Sequence, residues 1–255
     1  MFEDVKREVA IANRILPAMG LATGPTVSLG HASMRVPGQE DRFIVKGRGY
    51  EVDALPAMLP SDMIVCDLEG NFVEGPPGST QCFEVKMHSC LYKLYPEVKS
   101  VVHVHPAFTI LMTTLGRQIK PMRQEGVALI RHALPMYPHT KTVQSDDEGM
   151  AVAGLIRGHQ AVLLQGHGAT TTGDSLEEAV MNMIHLEEQA RMNYYALSAM
   201  GPDFQCLPDA LIAEMSGRTP LAEMPHFKEP IARVGRQPRV GGLWKYYTLE
   251  VSKDL

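Results

Sequence analysis

The sequence predicts an α/β fold. Amphipathic helical stripes alternate along the chain with short apolar strands, and Gly- and Pro-containing turns separate them. Three observations carry this reading: a helical stripe over 81–94, a capped helix over 175–198, and the apolar runs 63–66, 101–105 and 161–164.

At 255 residues the chain suits one large domain or two small ones. A chain of this size buries roughly three quarters of its unfolded surface, so a core needs no covalent staples. Hydrophobic residues make up 45% and charged residues 21%, the balance of an ordinary globule. A net charge of −5 without a basic block argues against a nucleic-acid partner. No apolar run reaches the roughly 18 residues of a membrane span. The N-terminal stretch is charged and amphipathic, unlike a signal peptide. Cys66, Cys82, Cys90 and Cys206 show no framework spacing, so free thiols and a cytoplasmic location are expected. The 16 methionines read as soft core packing.

Residues 4–19 form the first expected helix, with Asp4 as N-cap, Val5, Ala12 and Leu16 on one stripe, and Gly20 closing it. A turn and a small-residue strand follow over 24–35. Phe43, Ile44 and Val45 make a short strand that runs into Lys46-Gly47-Arg48-Gly49. Two cations between glycines suggest an anion site, because glycine lets backbone approach a ligand; a solvated turn is the alternative.

Met63 to Cys66 is a buried strand, 67–71 a hairpin turn, and 72–74 the return strand. After the Gly75–Gly78 break, Thr80 is placed to cap a helix over 81–94, whose stripe is Phe83, Met87, Cys90, Leu91 and Leu94. Glu84 and His88 lie one turn apart beside that stripe. Residues 107–115 are expected to be helical and 119–121 to open a strand. Asp146 and Asp147 start a helix to Arg157. Ala161–Leu164 is a strand, and Gln165-Gly166-His167-Gly168 the turn beyond it. Ser175 and Glu178 read as a capping box for a helix to about Ser198, with His185 a structural residue inside it. From Gly201 onward the chain is proline-rich, with a short helix expected over 208–215 and an aromatic tail at 241–247 holding the only Trp. Such a tail docks on its own core or on a neighbouring subunit.

The stretch Ser100 to Pro106 is the centre of the functional reading. On a strand, Val101, His103 and His105 share one face. Two imidazoles two residues apart stand roughly 6 to 7 Å apart at Cβ, close enough to grip one metal ion. The alternative is a buried strand that happens to hold two histidines. His167, between Gly166 and Gly168, ends another strand, and Glu84 sits one element before the histidine strand. Three histidines leave open coordination positions, as a catalytic metal requires, and a nearby carboxylate can ligate the ion or shuttle a proton.

Glu84-Val-Lys-Met-His88, then Val101-Val-His103-Val-His105 with His103 nineteen residues after the Glu, then Leu163-Leu-Gln-Gly-His167-Gly168 together resemble the class II aldolase and adducin superfamily over roughly residues 5–200. The resemblance implies a three-layer α/β/α domain with a central, largely antiparallel (mixed) sheet. It implies a divalent metal ion on His103, His105 and His167, with Glu84 as ligand or acid–base residue, and a homotetramer with the site near a subunit contact. Residues 1–200 would be the catalytic domain and 201–255 a C-terminal extension.

The departures from the family pattern point to the substrate. Sugar-phosphate aldolases of the family hold phosphate with a Gly-Asn turn, a Thr-Pro-Thr-Gly-like loop and a Ser-Ser pair. Here those places read Gly30-His31, Val45-Lys-Gly-Arg-Gly49 and Cys82-Phe83, and the cations Arg35, Lys46 and Arg48 stand in their stead. Arginine pairs with a planar carboxylate in bidentate fashion. With His31 and Ser33, these segments look like those of metal-dependent decarboxylases of hydroxylated aromatic or pyridine dicarboxylates. The resemblance therefore implies a decarboxylase acting on a carboxylated, non-phosphorylated small molecule. Manganese is the favoured ion, with zinc, iron and cobalt also suited to the ligands. The ion would act as Lewis acid for charge left in the ring by loss of CO2, and Glu84, or a water it positions, would return the proton. Three other readings use the same residues: a class II retro-aldolase, a non-haem Fe(II) oxygenase, and a non-catalytic adducin-like module.

Overall fold

The computed structural model describes residues 2–234 and 242–255. Pro238 and Gly241 of the tail lie outside the described residues. The first helix, α1 (Glu3–Ala18), has Phe2 as its N-cap, so Asp4 falls inside the first turn rather than capping it. Gly20 ends it in the left-handed region at φ 76°. Its N–H reaches the Pro17 carbonyl at 3.0 Å, and the Leu21 N–H reaches Leu16 at 2.9 Å.

Strands β1 (His31–Val36), β2 (Gln39–Lys46), β3 (Met63–Asp67) and β4 (Phe72–Glu74) form an antiparallel run. Helix α2 (Val85–Leu94) leads into β5 (Ser100–Val104), followed by α3 (Ala107–Thr114) and the single turn α4 (Val127–Ile130). Then come β6 (Met136–Tyr137), α5 (Asp146–Leu155), β7 (Ala161–Leu164), β8 (Gly168–Gly173) and the long helix α6 (Leu176–Met200). These strands make one sheet in the order β4-β3-β2-β1-β5-β8-β7-β6. Only β6 and β7 pair in parallel. The expected α/β architecture with a largely antiparallel, mixed sheet is the one observed.

Alternation along the strands builds the layers. Ile44, Val65, Val102, Val104 and Leu163 face the side of α1 and α6. Phe43, Val45, Ile64, Cys66, Val101, Val162 and Leu164 face α2 and α5. Side chains of period two on a strand must split between opposite faces, so each layer of helices receives its own apolar surface. The four cysteines are free, and Cys206 alone among them is exposed.

Three local expectations are corrected. The helix expected over 81–94 begins only at Val85, and Thr80 does not cap it. Thr80 instead pairs with Arg48 through two backbone hydrogen bonds of 2.9 Å, and Gln81 Nε2 donates to Gly70 O at 3.0 Å, so the chain stays extended until Glu84. Phe83, assigned to the apolar stripe, is therefore 62% exposed. Residues 119–121 are not a strand. Their backbone partners are side chains of α6: the Lys120 N–H donates to Asn193 Oδ1 at 2.9 Å, and Asn193 Nδ2 donates back to Lys120 O at 2.7 Å. Ser175 caps α6, accepting the Glu178 N–H, but Glu178 takes the Asp174 N–H rather than completing the box. Ser145 and Glu148 form a full capping box on α5 that the sequence reading passed over. His185 packs against Gly126, where a Cβ would lie 2.6 Å from its own Cβ.

Beyond residue 200 lie α7 (Asp209–Ser216), α8 (Pro225–Val234) and α9 (Leu243–Val251). Helix α9 rests on α1 of its own chain. Arg14, 5% exposed, donates to Met58 O at 2.7 Å, Val251 O at 3.0 Å and Asp254 Oδ1 at 2.5 Å. Among the described residues, no helix is long and apolar enough to cross a membrane.

Asn193 is fully buried and substitutes for a strand partner. An Asn193→Leu variant strands the Lys120 N–H and C=O, at about 1–3 kcal/mol for each unsatisfied group. Urea unfolding should show a loss of about 2 kcal/mol or more; a loss below about 0.5 kcal/mol would show that water satisfies that segment.

Candidate metal centre

Strand β5 is the axis of the site. It lies between β1 and β8, with His103 opposite His31 on one side and Thr170 on the other. Both neighbouring strands begin at a glycine that lets them come close. A Cβ on Gly30 (φ +99°) would lie 2.8 Å from His103 O, and one on Gly168 would lie 2.3 Å from Val104 O. His105 falls just past the end of the strand, where Pro106 turns the chain into α3. Glu187 of α6 pins that corner by accepting the Phe108 and Thr109 N–H groups at 2.8 and 2.9 Å.

Glu84, His103, His105 and His167 converge, their ligand atoms all within 4.8 Å of one another. His103 Nε2 is 3.1 Å from Glu84 Oε2 and 3.1 Å from His105 Nε2. His167 Nε2 is 3.4 Å from Glu84 Oε1, and His105 Nε2 is 4.0 Å from Glu84 Oε2. Glu84 sits at the N-cap of α2, and its Oε1 accepts the Val143 N–H at 3.1 Å. Burial alone would raise the Glu84 carboxyl, but the charge and hydrogen bonds of His103, joined by His105 and His167, hold it well below the usual carboxylate range. Burial, with His103 and His167 as neighbours, lowers His105 against the opposing pull of Glu84.

These four groups fit a divalent cation. His103 Nδ1 lies 3.0 Å from Ala169 O; donating its proton there turns the Nε2 lone pair into the cluster. Three imidazole nitrogens and an ionised carboxylate then face one another, an arrangement that a shared cation stabilises. The donor set is nitrogen and oxygen, suited to Mn, Fe, Co or Zn.

Behind the cluster lies a buried polar chain. His31 Nδ1 is 2.6 Å from His88 Nε2, His88 Nδ1 is 2.6 Å from Ser33 Oγ, and Ser33 Oγ is 2.7 Å from Tyr92 Oη. The His31 ring centroid is 5.4 Å from that of His103. Burial, then neighbouring imidazoles, keeps His31 well below its ordinary pKa and brings His88 down to about 3. Both rings are thus neutral, each link holds one proton, and the four groups orient one another in series. Arg35 continues this stripe away from the cluster. Its guanidinium donates to the carbonyls of Val98, Glu40 and Tyr92, at 3.2, 2.5 and 2.8 Å, and lies 4.8 Å over the Tyr92 ring.

Lys46 and Arg48 stand nearer the cluster. Both are ion-paired to Asp53: Lys46 Nζ holds Oδ1, and Arg48 Nη1 lies 3.0 Å from Oδ2. Lys46 is fully buried; burial lowers its pKa against the raising effect of Asp53. The Arg48 guanidinium lies 4.4 Å over the ring of the exposed Phe83, next to Glu84, and its Nε is buried with no hydrogen-bond partner.

The structure thus gathers Glu84, His103, His105 and His167 at one point, sets His31 and Ser33 behind them, puts Lys46 and Arg48 beside them, and ties Arg35 into backbone carbonyls. Sequence reasoning missed His88, Tyr92 and Asp53. His88 had a visible signal, since it lies one helical turn from Glu84. Asp53 had none, because only the loop after β2 brings it back onto the two cations.

Comparison with known proteins fits this geometry. Residues 7–194 match the profile of the class II aldolase and adducin N-terminal domain. The 3,4-dihydroxyphthalate decarboxylase of Arthrobacter keyseri is 30% identical over 217 residues, spanning 82% of this chain and 85% of the relative. Two solved structures share the fold. An aldolase II superfamily protein from Pseudomonas syringae has a TM-score of 0.77 at 19% identity, covering 98% of this chain and 93% of its own. The L-fuculose 1-phosphate aldolase from Glaciozyma antarctica PI12 has a TM-score of 0.73 at 22% identity, covering 98% and 89%. With most of its length under one family profile, and a His–Glu cluster at the end of an interior strand of its sheet, the chain belongs to the class II aldolase and adducin N-terminal domain family.

Proposed function

We propose that the chain is a metal-dependent carboxy-lyase acting on a non-phosphorylated, hydroxylated aromatic or heteroaromatic carboxylate or dicarboxylate. The observation that carries this reading is the Lys46–Arg48 cation pair beside a convergent His–Glu cluster, where sugar-phosphate enzymes of the family place hydroxyls. The relative named 3,4-dihydroxyphthalate decarboxylase supports it. His103, His105 and His167, with Glu84, would hold a divalent ion, manganese being favoured, which supplies Lewis acidity for charge that builds up in the ring. Arg48 is the cation for the substrate carboxylate, because its Nε–H is unspent and its face is partly open. The exposed ring of Phe83 offers a flat apolar surface to an aromatic substrate. Glu84, or a water it positions, would give a proton taken from solvent to the ring carbon that loses CO2. His31 and Ser33, locked by His88 and Tyr92, keep the His103 face in place. In this reading residues 1–200 are the catalytic domain, 201–255 an extension, and the assembly a homotetramer.

Three outcomes test it. Protein purified without chelator should carry about one divalent ion per chain. His105→Ala and His167→Ala should lose that ion; full metal content in either variant would remove that histidine from the ligand set. In a CO2-release screen against hydroxylated aromatic dicarboxylates, with and without O2, Glu84→Gln should lower kcat by about 10²–10⁴-fold. Release of an aldehyde or ketone without CO2 would move the assignment to aldol cleavage, and dependence on O2 to an oxygenase. Arg48→Ala should raise KM about 10- to 100-fold with little change in kcat; a collapse of kcat at constant KM would contradict the anchoring role.

A further inference from the structure

The two cations beside the metal centre do not stand alone. Asp53 places one carboxylate oxygen on each of them, Oδ1 on Lys46 and Oδ2 on Arg48. Both cations also donate to the Ser28 carbonyl, at 3.4 Å each. Two positive charges against one negative leave one unit of positive charge. That remainder reaches the surface through Arg48, whose side chain is 17% exposed and whose guanidinium lies over the exposed Phe83, with its buried Nε unpartnered.

The geometry of this trio is rigid. Arg48 is paired through its backbone to Thr80 in both directions. Gly47 has no room for a side chain, since a Cβ would lie 2.2 Å from Tyr50 Oη. Gly49 sits at φ +100°, with Gly78 O 2.7 Å from where its Cβ would be. The loop therefore constrains the backbone that carries the cations, and Asp53 is held by its ion pairs to both of them. Thr80, the backbone partner of Arg48, is only four residues from Glu84, which keeps those two Cα atoms within about 14 Å of each other.

We infer that Asp53 is a specificity-determining residue: it cancels one of the two cationic charges, so that the pocket matches a singly charged carboxylate and disfavours a doubly charged phosphate. The assignment rests on the reading of a carboxylated, non-phosphorylated substrate at this centre. It gives a physical reason for that preference beyond the loss of a hydroxyl cradle. Two uncompensated buried cations would suit a dianion, and one residual charge suits a monoanion.

The test uses inorganic phosphate and benzoate as probes, titrated calorimetrically into the metal-loaded protein and its variants, with thermal melts as a folding control. The metal centre is common to all of them, so ratios between variants cancel its contribution. Asp53→Asn keeps the shape and removes the charge. It should raise the affinity for phosphate relative to benzoate by about tenfold or more. Adding Lys46→Met to it restores a single positive charge and should bring the ratio back towards that of the parent. Lys46→Met alone leaves no net charge and should weaken benzoate binding by about tenfold. An unchanged phosphate-to-benzoate ratio in folded Asp53→Asn overturns the assignment. Should that variant not fold, unchanged benzoate affinity in Lys46→Met overturns it. Failure of the decarboxylase reading is separable: absence of CO2 release with a phosphate gain in Asp53→Asn removes the reaction and leaves the charge assignment standing. CO2 release with an unchanged ratio does the reverse.

Discussion

The fold turns on bringing three imidazoles and a carboxylate to one point. Their ligand atoms lie within 4.8 Å of one another, an arrangement that a shared cation would stabilise. A chain free to relax would separate them, so the fold spends several independent contacts on preventing that. His103 is fixed by the register of β5 against β1 and β8, and by the Ala169 carbonyl on its far nitrogen. Glu84 is held by the Val143 N–H at the start of α2. The corner that carries His105 is tied to α6 through Glu187. Gly30 and Gly168 let the flanking strands close on β5 without steric conflict.

The polar surroundings divide into two parts with different work. On the α2 side, His88, His31, Ser33 and Tyr92 form a closed series of short hydrogen bonds with neutral rings. A fully satisfied buried network of this kind rigidifies, and here it backs the face of His103. Lys46, Arg48 and Asp53 form a charged trio in which Arg48 Nε has no hydrogen-bond partner. The first part orients neutral rings, and the second holds two cations on one carboxylate. Arg35 shows why a list of nearby cations is not a list of anion sites. Its guanidinium makes four hydrogen bonds to the carbonyls of Val98, Glu40, Tyr92 and Tyr95, so its charge serves the fold.

Family membership and reaction are separate matters in this chain. A scaffold shared with an L-fuculose 1-phosphate aldolase speaks for the fold alone, since function resides in the site grafted onto it. What distinguishes this site is the Lys46–Arg48 cation pair, held by Asp53.

Much of this was legible in the order of residues. Alternation and helical stripes on 81–94, 161–164 and 175–198 are local signals, set by which side chains must be buried, and they specified an α/β chain. The motifs around Glu84, His103, His105 and His167, taken together, marked the four residues that meet, although Glu84, His105 and His167 all stand just outside the regular elements. The start of α2, the absence of a strand at 119–121, the burial of Arg35 and the pairing of Asp53 with Lys46 and Arg48 were decided by tertiary structure alone. Each depends on a partner distant in sequence: Thr80 on Arg48, Lys120 on Asn193, Arg35 on Val98, Lys46 on the loop that follows it. A residue's type states what bonds it can make, and only the folded chain decides which partner arrives first.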